Sequence, residues 1–291
     1  MLFGTQTNYA IEKFGHIDGV KLLIDAGFPA IDFSFFGDQE FVHGDDGLEN
    51  AKKIRALADE HGVIFHQAHA PFGGYLETFL EKYAHKFPRV FEFAGILGVE
   101  NIIVHPIRPT PRYLGYEKEN FDANLEYYAS LAPLARENGL KIAIENMYGR
   151  NPFTNAIELS IGGDARELAA IYDALDAPDV FTVCLDVGHS ALCGFEPAEA
   201  IRTLGGNRLG ALHVHDVDFI SDLHTLPGMS RLNWDNICLA LAEIDYKGVF
   251  TLEADKFLNG IDLELYPSAI KFMADTAKHL ASRIEQYKSK K

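Results

Sequence analysis

The stretch Val180-Phe181-Thr182-Val183-Cys184-Leu185-Asp186-Val187-Gly188-His189 decides the fold. It opens with the β-branched and aromatic residues that suit a pleated, half-buried strand, and it breaks at an acid two residues before a glycine. Side chains alternate along a strand. Thr182, Cys184 and Asp186 therefore share one side, and Val183 and Leu185 the other. One face is small and ends in a carboxylate, while the opposite face is bulky and apolar. The pattern recurs along the chain. Ala143 and Glu145 alternate with Ile142 and Ile144, Ala211 and His213 with Leu212 and Val214, and Thr251 and Glu253 with Phe250 and Leu252.

Working outward, eight runs read as strands: residues 2–8, 30–35, 63–69, 101–106, 140–146, 180–186, 209–215 and 248–254. Helical patterns lie between them. Leu48, Ala51, Ile54 and Ala58 share a face, with Gly62 as the stop. Phe121, Leu125, Tyr128, Ala132 and Ala135 share another, ending near Gly139. Asp164 and Glu167 have capping-box spacing ahead of Leu168, Ile171, Tyr172 and Leu175. Pro197 falls in a first helical turn, before Ile201 and Leu204, and Gly205 closes it. Strand–helix alternation implies a parallel sheet covered by helices. Eight such units with no low-complexity linker predict an α/β chain closed into a (β/α)8 TIM barrel, a single domain over residues 1–291. An open doubly wound sheet would carry GxGxxG after a strand, and the chain has none.

The totals fit. The 291 residues are 47% hydrophobic, enough for a large core, and one α/β barrel takes roughly 250 residues. No apolar run reaches the about 18 residues of a membrane span, so no membrane partner is expected. Cys184, Cys193 and Cys238 lack CxxC spacing, which points to a reducing compartment. With no signal-peptide pattern at the start, a cytoplasmic location is expected. Twenty-six basic against forty-two acidic side chains give a net charge of −16. A grip on phosphate backbones needs a basic face, so a nucleic-acid partner is not expected.

Barrel active sites lie at the carboxyl ends of the strands. Strands three to eight end in His69, His105, Glu145, Asp186, His213 and Glu253, and all six have inward parity. Carboxylates converging in a barrel mouth repel one another unless a cation neutralises them. A divalent ion is therefore expected among these six. Oxygen and nitrogen donors without thiolate suit Mn²⁺, Zn²⁺, Co²⁺ or Mg²⁺. His69, His105 and His224 are expected to line the same pocket. His66 has outward parity and reads as structural.

Cys184-Leu-Asp-Val-Gly-His-Ser190, His213-Val-His-Asp216, Asp222-Leu-His224 and Glu253 in Thr-Leu-Glu, in that order, resemble the xylose isomerase-like barrel superfamily. That superfamily joins sugar isomerases and epimerases to type IV apurinic endonucleases. The resemblance runs from His69 to Glu253. In the sugar enzymes it implies a metal held at Glu145, Asp186, His213 and Glu253, with Asp186 and His189 as the Asp-x-x-His pair. Nine endonuclease-type ligand positions are also matched, adding His69, His105, His189, Asp222 and His224, so a second ion could be held. His215 shares the inward parity of His213. The family's His-x-x-Asp spacing matches His213 and Asp216 and favours His213. Asp-Leu-His-Thr-Leu-Pro-Gly228 and Leu-Asn-Trp234 resemble bacterial sugar phosphate isomerase/epimerase homologues. Ketose 3-epimerases carry an Arg six residues beyond the metal His, where this chain has Phe219, or Ser221 counted from His215.

The expected function is a divalent-metal-dependent isomerase or epimerase of a small sugar or related hydroxy-carbonyl compound. Glu145 and Glu253 would move the proton through an enediolate. His69, His105, His189, His215, Asp216 and His224 would bind the carbohydrate substrate. The alternatives are a metal-dependent phosphodiesterase of the apurinic endonuclease type and a dehydratase of a polyol-derived keto-sugar. A non-catalytic sugar-binding barrel would have no use for both glutamates. Arg108, Arg112 and Arg150 are the basic candidates for a phosphate, though the acidic seventh loop favours an unphosphorylated substrate. A homo-oligomer is compatible with all of this.

Overall fold

The computed structural model describes residues 1–36, 39–73, 76–109 and 115–290. Ten strands occur among them: β1 (Phe3–Gln6), β2 (Ala30–Ser34), β3 (Ile64–His69), β4 (Asn101–Val104), β5 (Lys141–Glu145), β6 (Tyr148–Arg150), β7 (Ile157–Leu159), β8 (Phe181–Asp186), β9 (Leu209–His213) and β10 (Phe250–Leu252). Eight of these form one sheet in the order β10-β1-β2-β3-β4-β5-β8-β9, every pair parallel. Between β9 and β10 the ring meets through the single parallel bridge Val214–Leu252. There Val214 N donates to Thr251 O (2.9 Å) and Glu253 N to Val214 O (3.0 Å). The eight expected strands are thus the eight staves of a (β/α)8 barrel, each one to four residues shorter than expected.

The two faces of the staves separate by size as their alternation dictates. Ile142, Ile144, Val183, Leu185, Leu212, Val214, Phe250 and Leu252 join the main core under the helices. Ile103, Ala143, Cys184 and Ala211 form a separate small cluster inside the ring. Each large aliphatic side chain taken from water contributes about 1.5–3 kcal/mol. Small inner residues leave room for the polar layer above them.

Helix ends follow local chemistry. Gly62, Gly98 and Gly139 close their helices in the left-handed conformation that glycine adopts without a Cβ penalty. Asp164 caps Ala165–Leu175 by accepting from Arg166 N at 2.9 Å, and Glu167 reaches back to Gly162 N. No helix among the described residues is long and apolar enough to cross a membrane.

Two features depart from the sequence reading. The antiparallel hairpin β6–β7 was not expected. Its tip is held by Asn151 Oδ1, which accepts from Phe153 N and Thr154 N, an Asx turn. His66 does not face outward. A register shift between β2 and β3 leaves it unpaired between Phe65 and Gln67. Phe65 takes the outer position, while the His66 ring reaches Gly210 O of β9 (3.2 Å) and Glu100 (3.2 Å). A bulge adds one residue and so resets parity.

Candidate metal centre

His69, Glu145, Asp186 and His213 are the last residues of β3, β5, β8 and β9. His105 and Glu253 lie one residue past β4 and β10. Ligand atoms of Glu145, Asp186, His213 and Glu253 all fall within 4.8 Å of one another. Among the other groups that meet the same distance are His69, His105 and Glu145, and His189, His215, Asp222 and His224. The residues expected to hold a second ion thus fall in two groups, His69 and His105 beside Glu145, and His189, Asp222 and His224 beside His215.

Local structure explains the Asp-x-x-His spacing. Asp186 caps the short helix Val187–Leu192 by accepting from His189 N at 2.6 Å, which turns both side chains the same way. Asn146 ties β5 to β8: its Oδ1 accepts from Asp186 N (2.7 Å) and its Nδ2 donates to Asp186 O (2.9 Å). Gly188 is required here, because a Cβ would lie 2.1 Å from the His215 ring. His224 is held at φ +41°, a left-handed conformation unfavourable for a residue with a Cβ and one that clusters at functional sites.

Four imidazoles have one nitrogen engaged away from the cluster. His69 Nδ1 faces Ala70 O (2.8 Å), His189 Nδ1 faces Asn146 O (3.0 Å) and His224 Nδ1 faces Glu253 O (2.8 Å). His213 Nε2 faces Asp32 Oδ2 (3.1 Å). A carbonyl or carboxylate can only accept, so these nitrogens carry the proton. The opposite nitrogens point into the cluster. His213 Nδ1 lies 2.6 Å from Glu145 Oε1 and 3.5 Å from Glu253 Oε2, and His224 Nε2 lies 2.9 Å from Asp222 Oδ2. This is how metal-binding histidines are oriented.

The donors also leave gaps. His105 Nε2 is 2.8 Å from Glu145 Oε2 but off the hydrogen-bonding direction. That buried oxygen, like Asp222 Oδ1, has no hydrogen-bond partner among the described residues. Stranded carboxylate oxygens beside imidazole nitrogens fit a divalent cation.

Without a cation, protons do its work. Burial opposes ionisation of Glu145, yet His213 and His105 hold it well below the usual carboxylate range. Burial likewise opposes a charge on Asp186, which His189 and His215 keep low. His213 is raised well above 6.5 despite burial, by Cys184, Glu253 and Glu145. Burial pushes Glu253 well above 4.5, only partly offset by His213 and His224. His224, opposed by burial, is raised to about 10 by Glu253 and Asp222. The raised groups bind protons more tightly folded than unfolded. Their stabilisation is complete below the unfolded values and is lost as pH rises through the folded ones. A cation must displace these protons. The gain in melting temperature on adding Zn²⁺ or Mn²⁺ is therefore expected to grow as pH rises above 6.5, with proton release on binding. Thermal scans across that range check this, and a gain that shrinks with pH would refute it.

Above the cluster opens a cavity of about 720 Å³, within the size range of small-molecule sites. Glu145, Glu253, His69, His105, His189, Asp222 and His224 line it, with Gln6, Asn8, Asp255 and the aromatic rings of Tyr9, Phe36, Phe72 and Tyr148. His69, His105 and His224 thus share one pocket, as expected. Arg108, Arg150 and Lys256 are its basic residues, whereas Arg112 lies outside the described residues.

Two expected substrate-binding residues are placed elsewhere. His215 is fully buried beneath the cavity, stacked on His224 at 4.2 Å with Nε2 3.1 Å from both Asp186 oxygens. Asp216, also fully buried, accepts from Val217 N, Gly228 N, Ser230 N, Arg231 N, Leu232 N and Trp234 Nε1 at 2.9–3.1 Å. Its oxygens are saturated by its own loop. Sequence reading missed Asp32, Asn146, Tyr148 and Asp255. An acid between Ile31 and Phe33 was the one signal available for Asp32.

A family model described as a xylose isomerase-like TIM barrel matches residues 20–276. A probable endonuclease 4 from Halorhodospira halophila is 28% identical over 180 residues, which cover 57% of this chain and 58% of that protein. Among solved structures, a D-tagatose 3-epimerase-like protein superposes with a TM-score of 0.72 at 20% identity, over 98% of this chain and 100% of the other. The IOLI protein, solved with a zinc atom bound, gives a TM-score of 0.72 at 18% identity, over 99% of each chain.

Proposed function

Because the chain belongs to the xylose isomerase-like TIM barrel family, we propose that it is a divalent-metal-dependent isomerase or epimerase of a small sugar or related hydroxy-carbonyl compound. One observation carries the reading. Glu145 and Glu253 come from different strands, face one cavity and flank the same His213 nitrogen. Two carboxylates reaching one substrate from different strands can take a proton from carbon and return it.

Glu145, Asp186, His213 and Glu253 would hold the cation. When bound, it supplies Lewis-acid polarisation of the substrate carbonyl. The IOLI protein, solved with a zinc atom bound, supports a metal in a barrel of this fold. Glu145, kept ionised, removes the proton from the carbon beside the carbonyl, and the electron pair moves into an enediolate. Glu253, through an oxygen not engaged with the cation, returns to carbon a proton drawn from solvent, and Glu145 releases its own to solvent. Return to the opposite face of the same carbon epimerises it; return to the neighbouring carbon, with the hydroxyl proton passing to the former carbonyl oxygen, interconverts aldose and ketose. Either way, atoms and electrons balance with water as the only other reactant. His189 and His224 line the cavity beside the two glutamates and would orient substrate hydroxyls. The aromatic rings would exclude water from the enediolate.

A sugar and keto-polyol panel in deuterated water tests this. Solvent deuterium should appear at a carbon position of one substrate. Loss of water from a keto-polyol without reversible exchange would favour the dehydratase alternative. The endonuclease alternative rests on the two further ligand groups and on the Halorhodospira relative. The net charge of −16 opposes it. A chain acting on DNA should be retained on heparin and cleave an abasic duplex; this one is expected to do neither.

A further inference from the structure

We propose that Asp32 is a positioning residue for the metal centre. Its carboxylate locks His213 as the Nε2–H tautomer, so that Nδ1 presents its lone pair to the cation. The proposal rests on the reading of His213 as a ligand.

Asp32 lies in the middle of β2 and is fully buried. Its Oδ2 is 3.1 Å from His213 Nε2 and accepts from Gln67 Nε2 at 2.8 Å. Gln67 is itself fixed. Its Nε2 also donates to Leu212 O (3.2 Å), and its Oε1 accepts from Thr251 Oγ1 (3.1 Å). The amide therefore cannot turn over without losing three hydrogen bonds. Side chains from β2, β3 and β10 thus converge, through Asp32, on one imidazole of β9. The register shift between β2 and β3 falls at Asp32 and Gln67, and bulges beside active sites re-aim side chains in this way.

A purely structural role explains the arrangement poorly. A carboxylate taken wholly out of water costs several kcal/mol unless well paired, and Asp32 Oδ1 has no hydrogen-bond partner among the described residues. An apolar residue would fill the space at lower cost. What only an acceptor at this point can do is hold the Nε2 proton. Without it the imidazole can carry its proton on Nδ1, hydrogen-bonded to Glu145 Oε1 2.6 Å away, and the lone pair for the cation is lost. The His213 ring also stacks on His69, with centroids 5.4 Å apart and planes at 2°, so the ring plane is set by packing and Asp32 is left to set the tautomer.

The test uses cobalt-loaded full chains. Cobalt affinity is measured by competition with a chromophoric chelator, and hyperfine-shifted proton NMR reads the exchangeable N–H of a ligating histidine. Asp32→Ala should weaken cobalt binding by about 10–100-fold, the usual loss when such a partner is removed, and should remove or broaden the N–H signal. Asp32→Asn keeps an acceptor oxygen and should fall between Asp32→Ala and the parent in both readouts; it carries the comparison if Asp32→Ala does not fold. Parent-like affinity and an unchanged N–H signal in the folded variants would overturn the proposal. So would a cobalt-loaded parent without such a signal. A parent protein that binds no cobalt would instead overturn the metal reading on which the proposal rests.

Discussion

Metal-reconstituted Glu145→Gln and Glu253→Gln proteins are each expected to bind substrate and yet fail to exchange its carbon-bound hydrogen with solvent. A proton on carbon beside a carbonyl leaves only to a base held against it, and such placement supplies on the order of 10²–10⁴ in rate. Each glutamate has one oxygen near His213 Nδ1, Glu145 Oε1 at 2.6 Å and Glu253 Oε2 at 3.5 Å. One oxygen can therefore ligate while the other meets substrate. Glutamine keeps the shape and a weak ligand oxygen but cannot accept the proton. Metal content should also fall in the unreconstituted variants, and in Asp186→Asn, whose fully buried carboxylate belongs to the same cluster. Asp186→Asn separates the two effects: once reconstituted, it should recover exchange far more than either glutamine variant. Deuterium incorporation followed by proton NMR at matched metal occupancy is the measurement. Wild-type exchange in both reconstituted glutamine variants would reject the two-glutamate scheme and leave a histidine as the base.

The barrel and the rim of its site were legible because both follow from a period of two. Ala143 and Glu145, or Ala211 and His213, share a side of their strand whatever surrounds them, and strand ends are marked by the breaks that follow. Residues whose role depends on what meets them across the ring were harder to read. Asp32 has inward parity, but nothing local says that its partner is His213, 181 positions away. His66 was misread because a bulge resets the parity that the inference used. The β6–β7 hairpin, with three residues in each strand, is too short for periodicity to register. Asp216 followed the His-x-x-Asp spacing faithfully. What the spacing could not reveal was the convergence of five backbone amides and an indole on its carboxylate.

That convergence makes Asp216 the site of the largest expected loss of stability. Oδ1 accepts from Val217 N, Arg231 N and Leu232 N; Oδ2 accepts from Gly228 N, Ser230 N and Trp234 Nε1. A buried carboxylate is tolerated because these six donors replace its water. Asparagine would turn an NH₂ toward three of them, losing their bonds and setting donor against donor. Alanine would remove the acceptor from all six, leaving Arg231 N its 3.3 Å bond to Val217 O, and each donor that stays buried without a partner costs about 1–3 kcal/mol before water or relaxation intervenes. Breaking a buried charged network typically costs about 3–5 kcal/mol, so both variants should melt well below the parent. The loop from Asp216 to Trp234 also carries Asp222 and His224, and His224 reaches Glu253 O at 2.8 Å. Hydrogen exchange should therefore rise over residues 217–232, and the His189–His215–Asp222–His224 group should lose its geometry. Glu145, Asp186, His213 and Glu253, three of them at strand ends and the fourth one residue beyond, should still take up one equivalent of metal. A substrate-binding Asp216 would behave otherwise, with a raised KM, unchanged loop protection and a melting temperature within about 2 °C of the parent, less than 1 kcal/mol at this chain length.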